Sequence, residues 1–489
     1  MRPKISPSKS LAEVCDFLGI ERLGEDVTIT GVASDSRSVE VGEIFLALPG
    51  ERAHGSDFIE AALERGARAI LTDESGRTNS SRSPLLVVSN PRSICGPLAD
   101  WFYGSPSRKV YVTGVTGTNG KTTTTHLIHQ IWRSVGRDSG LVGTVGIKFN
   151  EQSFPTTHTT PESEVIQQTL AAMVEAGIKN VAMEASSHAI HQRRLSGTRF
   201  SSVGFTNLTQ DHLDYHGDME SYYKAKRALF SFEYADQAFI VIDGEYGNRL
   251  ATESEVPVQT LSITGKADWY IESLNPITSG YSLAIRSATG VLIEGEVRLV
   301  GEHNLENLLL AVSIASDSGV DPIDIANAMP SLTGAPGRLE LVNIKAPFTA
   351  LVDYAHTPDA VTRILQTLRT SHSGRLIAVL GCGGDRDRSK RPLMGKALND
   401  GCDIPIFTSD NPRSEDPDAI LKEMTEGLVL QKSAQVIVDR RDAIRSAVAM
   451  AGDGDVVIVL GKGHETGQEI NGLLLPFDDR EELKVAFSR

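Results

Sequence analysis

The stretch KVYVTGVTGTNGKTTTTHLIHQIW, residues 109–132, constrains this chain more than any other. It reads as an apolar strand, a glycine-rich loop, and a GKT triplet opening a segment that can continue as a helix. Backbone N–H groups of such a loop, at a helix N-terminus, cradle a polyphosphate. Gly117, Thr118, Asn119 and Gly120 form the loop; Lys121 adds positive charge, Thr122 offers a hydroxyl to Mg2+, and Thr123 continues the run. A strict G-x-x-x-x-G-K-[ST] pattern asks for glycine at 115, where this chain has Val115. A structural glycine-rich turn is the bland alternative, but the order strand, loop, GKT, helix points to an ATP site.

With 489 residues, the chain is expected to hold about three domains of roughly 150 residues. The first region, 1–106, mixes strand-like runs (EIFLAL, PLLVV) with a helical SDFIEAALERGA and ends in a turn-rich YGSPSR. The second, 107–336, carries the phosphate loop. The third, 337–489, alternates apolar runs (FTALV, RLIAVL, IPIFT, AQVIV, DVVIVL) with helical stretches, the pattern of a parallel sheet with crossover helices. The fold class is therefore α/β. Directly after four of those runs come DYAH, GCGGDRD, SDNPR and GKGHE. Ligands of open α/β sheets bind outside the carboxyl ends of the strands, so these four segments are expected to converge on one edge.

In the central region, NVAMEASSHA reads as a buried strand ending at Glu184, where a carboxylate beside the phosphate loop suits Mg2+. His212 and His216 are both candidate ligands, although a loop histidine is more often a hydrogen-bonding residue. The net charge of −15 provides no basic field for nucleic acid, so an anionic ligand must be met by local groups. No apolar run approaches the ~18 residues of a membrane span. The N-terminus lacks the apolar core of a secretory signal, and the four cysteines show no CxxC pairing, which together fit a reducing, cytoplasmic setting.

The runs GTNGKTT, MEASSHA, DHLDYHGDMESYYKAK, GEHNLEN, PGRLE, DYAHTPD and FDDRE, spread over nearly the whole chain, resemble the Mur ligase family. GTNGKT is shared with folylpolyglutamate synthases, whereas DHLDYHGDM and GCGGDRDRSKRPLMG are narrower. The match is to the members that add the third residue of the peptidoglycan stem peptide. The resemblance implies three domains: one for the UDP group, a central P-loop ATPase with a mostly parallel sheet, and a C-terminal Rossmann-like one that admits the amino acid. It also implies ATP-driven ligation of meso-2,6-diaminopimelate to UDP-MurNAc-L-Ala-D-Glu through an acyl phosphate, in cytoplasmic peptidoglycan precursor synthesis, by a monomer acting on small molecules. Domains able to close would keep water from that intermediate.

Residue by residue, the resemblance implies Thr122, Glu184 and His212 as metal ligands. Lys226 is implied as a lysine carbamylated by CO2, an anion able to hold a second Mg2+, while Lys224 reads as a solvated helix-face lysine. Asn304 and Arg338 are implied as ATP contacts, with Asp353 and His356 near the nucleotide. Thr159, Thr160, Ser186, Gln192 and Arg194 match positions holding the UDP-MurNAc-dipeptide, and Ser34 and Ser36 its uridine end. Arg386, Asp410, Asn411, Pro412, Arg413, Gly461 and Glu465 match the diaminopimelate site, with DNPR as the specificity motif. In that motif Pro412 presets a φ angle and Arg413 is presented to a carboxylate. The competing readings are a ligase adding lysine here or glutamate to folate, and a catalytically silent homologue kept as a scaffold. The latter would be expected to have lost Lys121, Glu184 or Lys226, and all three are present.

Overall fold

In the computed structural model the described residues are 1–488 apart from 22–24, 51–52, 78–83 and 278–279. Near the N-terminus, Ser10 and Glu13 cap helix Leu11–Leu18 reciprocally and Gly19, at φ 65°, ends it. Strands Gly31–Ala33, Glu43–Leu46, Ala69–Thr72 and Leu85–Val87 then form a four-stranded sheet in chain order, every neighbour parallel. The run SDFIEAALERGA is helical for less of its length than its pattern predicts. A 3-10 turn at Gly55–Phe58 precedes helix Ile59–Glu64, and Gly66 leaves at φ 104°.

The phosphate-loop strand runs Tyr111–Thr116, three residues beyond the expected KVYVT. It continues because both edges are paired in parallel: Val115 lies opposite Glu184 of strand Asn180–Glu184, and Thr116 opposite Phe205 of strand Ser202–Phe205. This accounts for Val115. The residue is a fully buried strand position, so the loop proper begins only at Gly117 and a glycine at 115 has no turn to make. Successive strands fall on opposite sides of Tyr111–Thr116, a switch point that leaves a crevice at the carboxyl ends. Strands Ser139–Gly143, Ala238–Val241 and Val258–Ser262 extend the parallel part on either side.

The C-terminal sheet has the order Glu340–Leu341, Thr349–Asp353, Val456–Leu460, Leu376–Cys382, Ile404–Ser409, Gln435–Val436. Its five apolar runs are all strands and pair in parallel; the short Glu340–Leu341 is antiparallel. Helices Pro358–Ser371, Lys390–Gly401 and Pro417–Thr425 bury Leu365, Leu398 and Met424 on one face. Helices Arg440–Met450 and Asp479–Phe487 bury Ile444 and Leu483 on the other. Burial on both faces explains why these strands read as continuous rather than alternating apolar runs.

By contacts the chain divides into two compact units. One comprises Met1–Ile271, Ile285–Ile293 and Glu306–Ala328; the other Glu272–Ala284, Glu294–Leu305 and Met329–Arg489.

Candidate active site

In the first unit, two glycines of the loop are required by space and by angle. A Cβ on Gly117, at φ 152°, would meet Thr206 Oγ1 at 1.8 Å, and one on Gly120, at φ 88°, would meet Asn307 Oδ1 at 2.2 Å. The loop is braced from the neighbouring strand end: Asn119 N–H donates to Asn207 Oδ1 at 3.0 Å and Thr206 Oγ1 to Asn119 O at 2.6 Å. Helix Lys121–Ser134 starts immediately after it, so its first N–H groups face the loop. Lys121 folds back, donating to the carbonyls of Gly117 and Thr118 at 2.9 Å each. Asn307 also accepts from Thr124 Oγ1 at 3.2 Å. It lies in GEHNLEN, as does Asn304, the expected ATP contact, which is buried and donates to Val300 O at 2.8 Å within the second unit.

Glu184, buried at its strand end, accepts from Thr122 Oγ1 at 2.9 Å, Thr144 N at 2.7 Å and Thr144 Oγ1 at 3.1 Å. A carboxylate and a hydroxyl side by side at a phosphate loop are the hard oxygen donors that suit Mg2+. His212 is placed differently. It is half-exposed at φ 52°, and its ring packs edge-on against His188 at 4.8 Å and Tyr222 at 6.2 Å. Among the described residues no three His, Cys, Asp or Glu side chains are gathered at metal-binding geometry. His216, the alternative, bonds Ser187 Oγ at 3.0 Å, and burial with His188 and His191 nearby pushes it down to about 4.

Lys226 is buried, donates to Gly117 O at 2.7 Å and lies over the Tyr222 ring at 4.7 Å. Burial, then the Lys121 charge, push its ammonium well below the usual lysine range. A lowered lysine loses its proton more readily, and the free amine is its nucleophilic form. Lys224, by contrast, is exposed and 3.7 Å from Glu220 one turn away, a solvated helix-face lysine.

The residues carried over for the UDP-dipeptide form one network next to Glu184. Thr160 Oγ1 donates to Glu184 O at 2.7 Å and accepts from Ser186 N at 3.1 Å, while Thr159 Oγ1 is 3.1 Å from Thr144 Oγ1. Arg194 donates to Thr160 O at 3.2 Å and to Gln192 Oε1 at 2.7 Å, and pairs with Glu162 at 3.0 Å. Ser34 donates to Glu164, a fully buried acid whose carboxyl burial pushes up; Ser36 is buried in the short turn Ser36–Ser38.

In the second unit, the strand-end segments converge as expected. Asp353 accepts from Leu339 N and Ala355 N at 2.7 Å each, and burial pushes its carboxyl up against the pull of Arg338, which stacks on Tyr354 at 4.8 Å. His356 is exposed, with Nδ1 2.8 Å from Tyr354 O. Gly461, at φ 107°, could not carry a Cβ, which would lie 2.7 Å from Asp410 Oδ2. Asp410 and Asn411 face inward and are buried, as is Pro412; Arg386 is exposed on its loop. Arg413 sits at φ 51°, a left-handed conformation that needs support. Support comes from strand Gly467–Ile470: Arg413 N–H donates to Glu469 O at 3.0 Å, and Asn471 N–H to Arg413 O at 2.7 Å. Its guanidinium, a quarter exposed, donates to Gly384 O at 2.6 Å and lies 3.2 Å from Glu469.

Two buried arginines, which no motif singled out, tie these loops together. Arg391 bonds Glu415 at 2.7 Å and Gly383 O at 3.2 Å, joining the GGDRD segment to the residues after DNPR, and holds Glu415 down at about 2. Arg440 makes a two-pronged pair with Asp479, 2.7 Å at each prong and wholly buried. It also donates to Ser409 O at 3.3 Å and Leu460 O at 2.9 Å, the last residues of the strands leading into DNPR and GKGHE. The FDDRE run thus fixes the spacing of two site loops.

This architecture has known counterparts. The Mur ligase middle domain model matches residues 115–315, the Mur ligase glutamate ligase domain model 337–463, and the Mur ligase family catalytic domain model 28–103. The UDP-N-acetylmuramoyl-L-alanyl-D-glutamate--2,6-diaminopimelate ligase of Streptomyces coelicolor is 42% identical over 100% of this chain and 98% of its own. The chain belongs to the Mur ligase family. The ligase of the same name from Gloeobacter violaceus is 43% identical over 99% of each chain. A solved structure of a ligase so named is 35% identical, covers 98% of this chain and 99% of its own, and superposes with a TM-score of 0.73. The Mur ligase fold extends further, to MurF from Acinetobacter baumannii at 17% identity, with 93% and 96% of the two chains covered and a TM-score of 0.64.

Proposed function

We propose that this Mur ligase joins meso-2,6-diaminopimelate to UDP-MurNAc-L-Ala-D-Glu at the expense of ATP, in cytoplasmic peptidoglycan precursor synthesis. The observation that carries the reading is the 42% identity, over the whole chain, to a ligase of that name. The D-Glu side-chain carboxylate attacks the γ-phosphorus of ATP and ADP leaves; the amine of the amino acid attacks the acyl carbon, phosphate leaves, and the nitrogen loses a proton. Residues Gly117 to Thr123 hold the phosphates, with Lys121 meeting charge that develops in transfer. Thr122 and Glu184, with His212 and a carbamylated Lys226, are the residues that would hold Mg2+, which when bound supplies positive charge to the phosphates. Asn304 and Arg338 are assigned as ATP contacts. Thr159, Thr160, Ser186, Gln192 and Arg194 hold the dipeptide end, and Ser34 and Ser36 the uridine. Regions 1–106, 107–336 and 337–489 serve the UDP group, ATP and the amino acid, and one family model falls within each. The enzyme acts as a monomer, and no described helix is long and apolar enough to cross a membrane.

Selectivity rests on Arg413, helped by Arg386, Asp410, Asn411 and Glu465. Diaminopimelate carries a distal carboxylate that lysine lacks, and a planar guanidinium held by its backbone is a natural partner for it. Truncating one partner of a buried, hydrogen-bonded charge pair costs about 2 to 5 kcal/mol. Arg413→Ala is therefore expected to lose roughly thirtyfold to several thousandfold in kcat/KM for diaminopimelate and far less for lysine. Measuring both constants with ATP and UDP-substrate saturating checks this; a selectivity ratio unchanged within about threefold would return TSDNPR to an ordinary loop.

A further inference from the structure

The GKGHE loop carries a cation that the assigned residues leave out. Lys462 is fully buried, and its ammonium donates to Asn411 Oδ1 at 2.9 Å and to Glu465 Oε2 at 3.0 Å. Asn411 Nδ2 donates to the same Glu465 oxygen at 2.9 Å, and Glu469 N–H donates to Asn411 Oδ1 at 3.0 Å. The amide can face only one way, since turned over its NH2 would meet an ammonium and an N–H. Glu465 is thus held by two donors through one oxygen while its side chain stays 34% exposed.

A buried lysine needs an anionic partner. Here that partner is Glu465, a partly exposed carboxylate three residues on in the same loop; the ammonium also reaches Asn411 on the neighbouring strand-end loop, and its charge acts on the buried Asp410 beside it. Around the buried Asp410 the charges that act are Arg440 and Lys462 on one side and Glu465 and Asp479 on the other. Without Lys462 these acids would keep only Arg440 of the two cations, and the added negative charge would disfavour a ligand carboxylate.

We propose that Lys462 is a positioning residue that sets amino-acid affinity and selectivity. It fixes Glu465 and Asn411 in one arrangement and offsets the acids around the incoming carboxylate. This rests on the reading of the pocket as the amino-acid site.

The test is steady-state kinetics of the full-length enzyme for Lys462→Met, which keeps the volume, and Lys462→Gln, which keeps a donor without the charge, with thermal melts alongside. Each is then combined with Glu465→Gln. KM for diaminopimelate is expected to rise roughly ten- to a hundredfold in Lys462→Met and less in Lys462→Gln, with KM for ATP and UDP-substrate within about threefold of wild type. Preference is expected to move toward lysine. With Glu465→Gln already present, removing Lys462 should cost little more, because the pair acts as a unit. A folded variant whose amino-acid KM and selectivity are unchanged within about twofold, or whose three KM values rise together, would overturn the proposal. If Arg413→Ala loses selectivity while the Lys462 variants do not, only the role of Lys462 fails; if neither does, the amino-acid reading of the pocket fails with it.

Discussion

Lys121→Ala is expected to abolish turnover, with a loss of a hundred- to a thousandfold or more, the order seen when a preorganised electrostatic donor is removed. The ammonium lies against the carbonyls of Gly117 and Thr118, at the mouth of the loop where the β and γ phosphates are proposed to rest. Alanine is a strong helix former at the first position of helix Lys121–Ser134, so the fold should be retained. Binding of the UDP-substrate, assigned to Thr159, Thr160 and Arg194, should survive. ADP production and UDP-substrate binding, measured on the same preparation, check both halves. Normal ADP production would remove the phosphate loop from the chemistry.

Lys226→Ala is expected to be comparably inactive, for a different reason. The side chain is buried against Tyr222, and burial and Lys121 push its ammonium well below the usual lysine range, which favours the free amine that a carbamate requires. What the variant loses is then an anion, and small added carboxylic acids should restore part of the rate by occupying the vacated position. Lys226→Met, which fills the same space without any anion, should remain inactive with or without them, separating lost charge from lost packing. Electron density at Lys226 in a fully ligated crystal is the direct check. An unmodified ammonium there, or equal rates with and without added acid in Lys226→Ala, would contradict the assignment.

Features of the site carried by local chain chemistry were legible in the sequence. The phosphate loop is a backbone device whose glycines, lysine and threonine are consecutive, and the strands of the C-terminal sheet are apolar because both faces are covered. The convergence of DYAH, GCGGDRD, SDNPR and GKGHE followed from strand direction alone. Less visible was anything made by distant pairing. Arg440 lies in RRDAIR, which reads like a solvated helix face, yet it is wholly buried against Asp479, thirty-nine positions away. Arg391 and Lys462 sit in polar runs and are likewise interior. A lone charge is ordinarily a surface residue, and only its partner, supplied by the fold, makes burial tolerable. Within GEHNLEN the resemblance implies Asn304 as an ATP contact; that Asn307 packs against Gly120 and accepts from Thr124 follows from the fold and not from the pattern.

Coupling phosphate release to product mass measures the proposed reaction directly. Purified enzyme would be given ATP, Mg2+ and UDP-MurNAc-L-Ala-D-Glu with meso-2,6-diaminopimelate, lysine or glutamate in turn, and in a parallel arm folate with glutamate in place of the UDP-substrate. Phosphate release is expected to depend on diaminopimelate, with one phosphate per UDP-tripeptide formed and little product with the other amino acids. Equal or faster ligation of lysine, or release only with folate and glutamate, would contradict the proposed reaction.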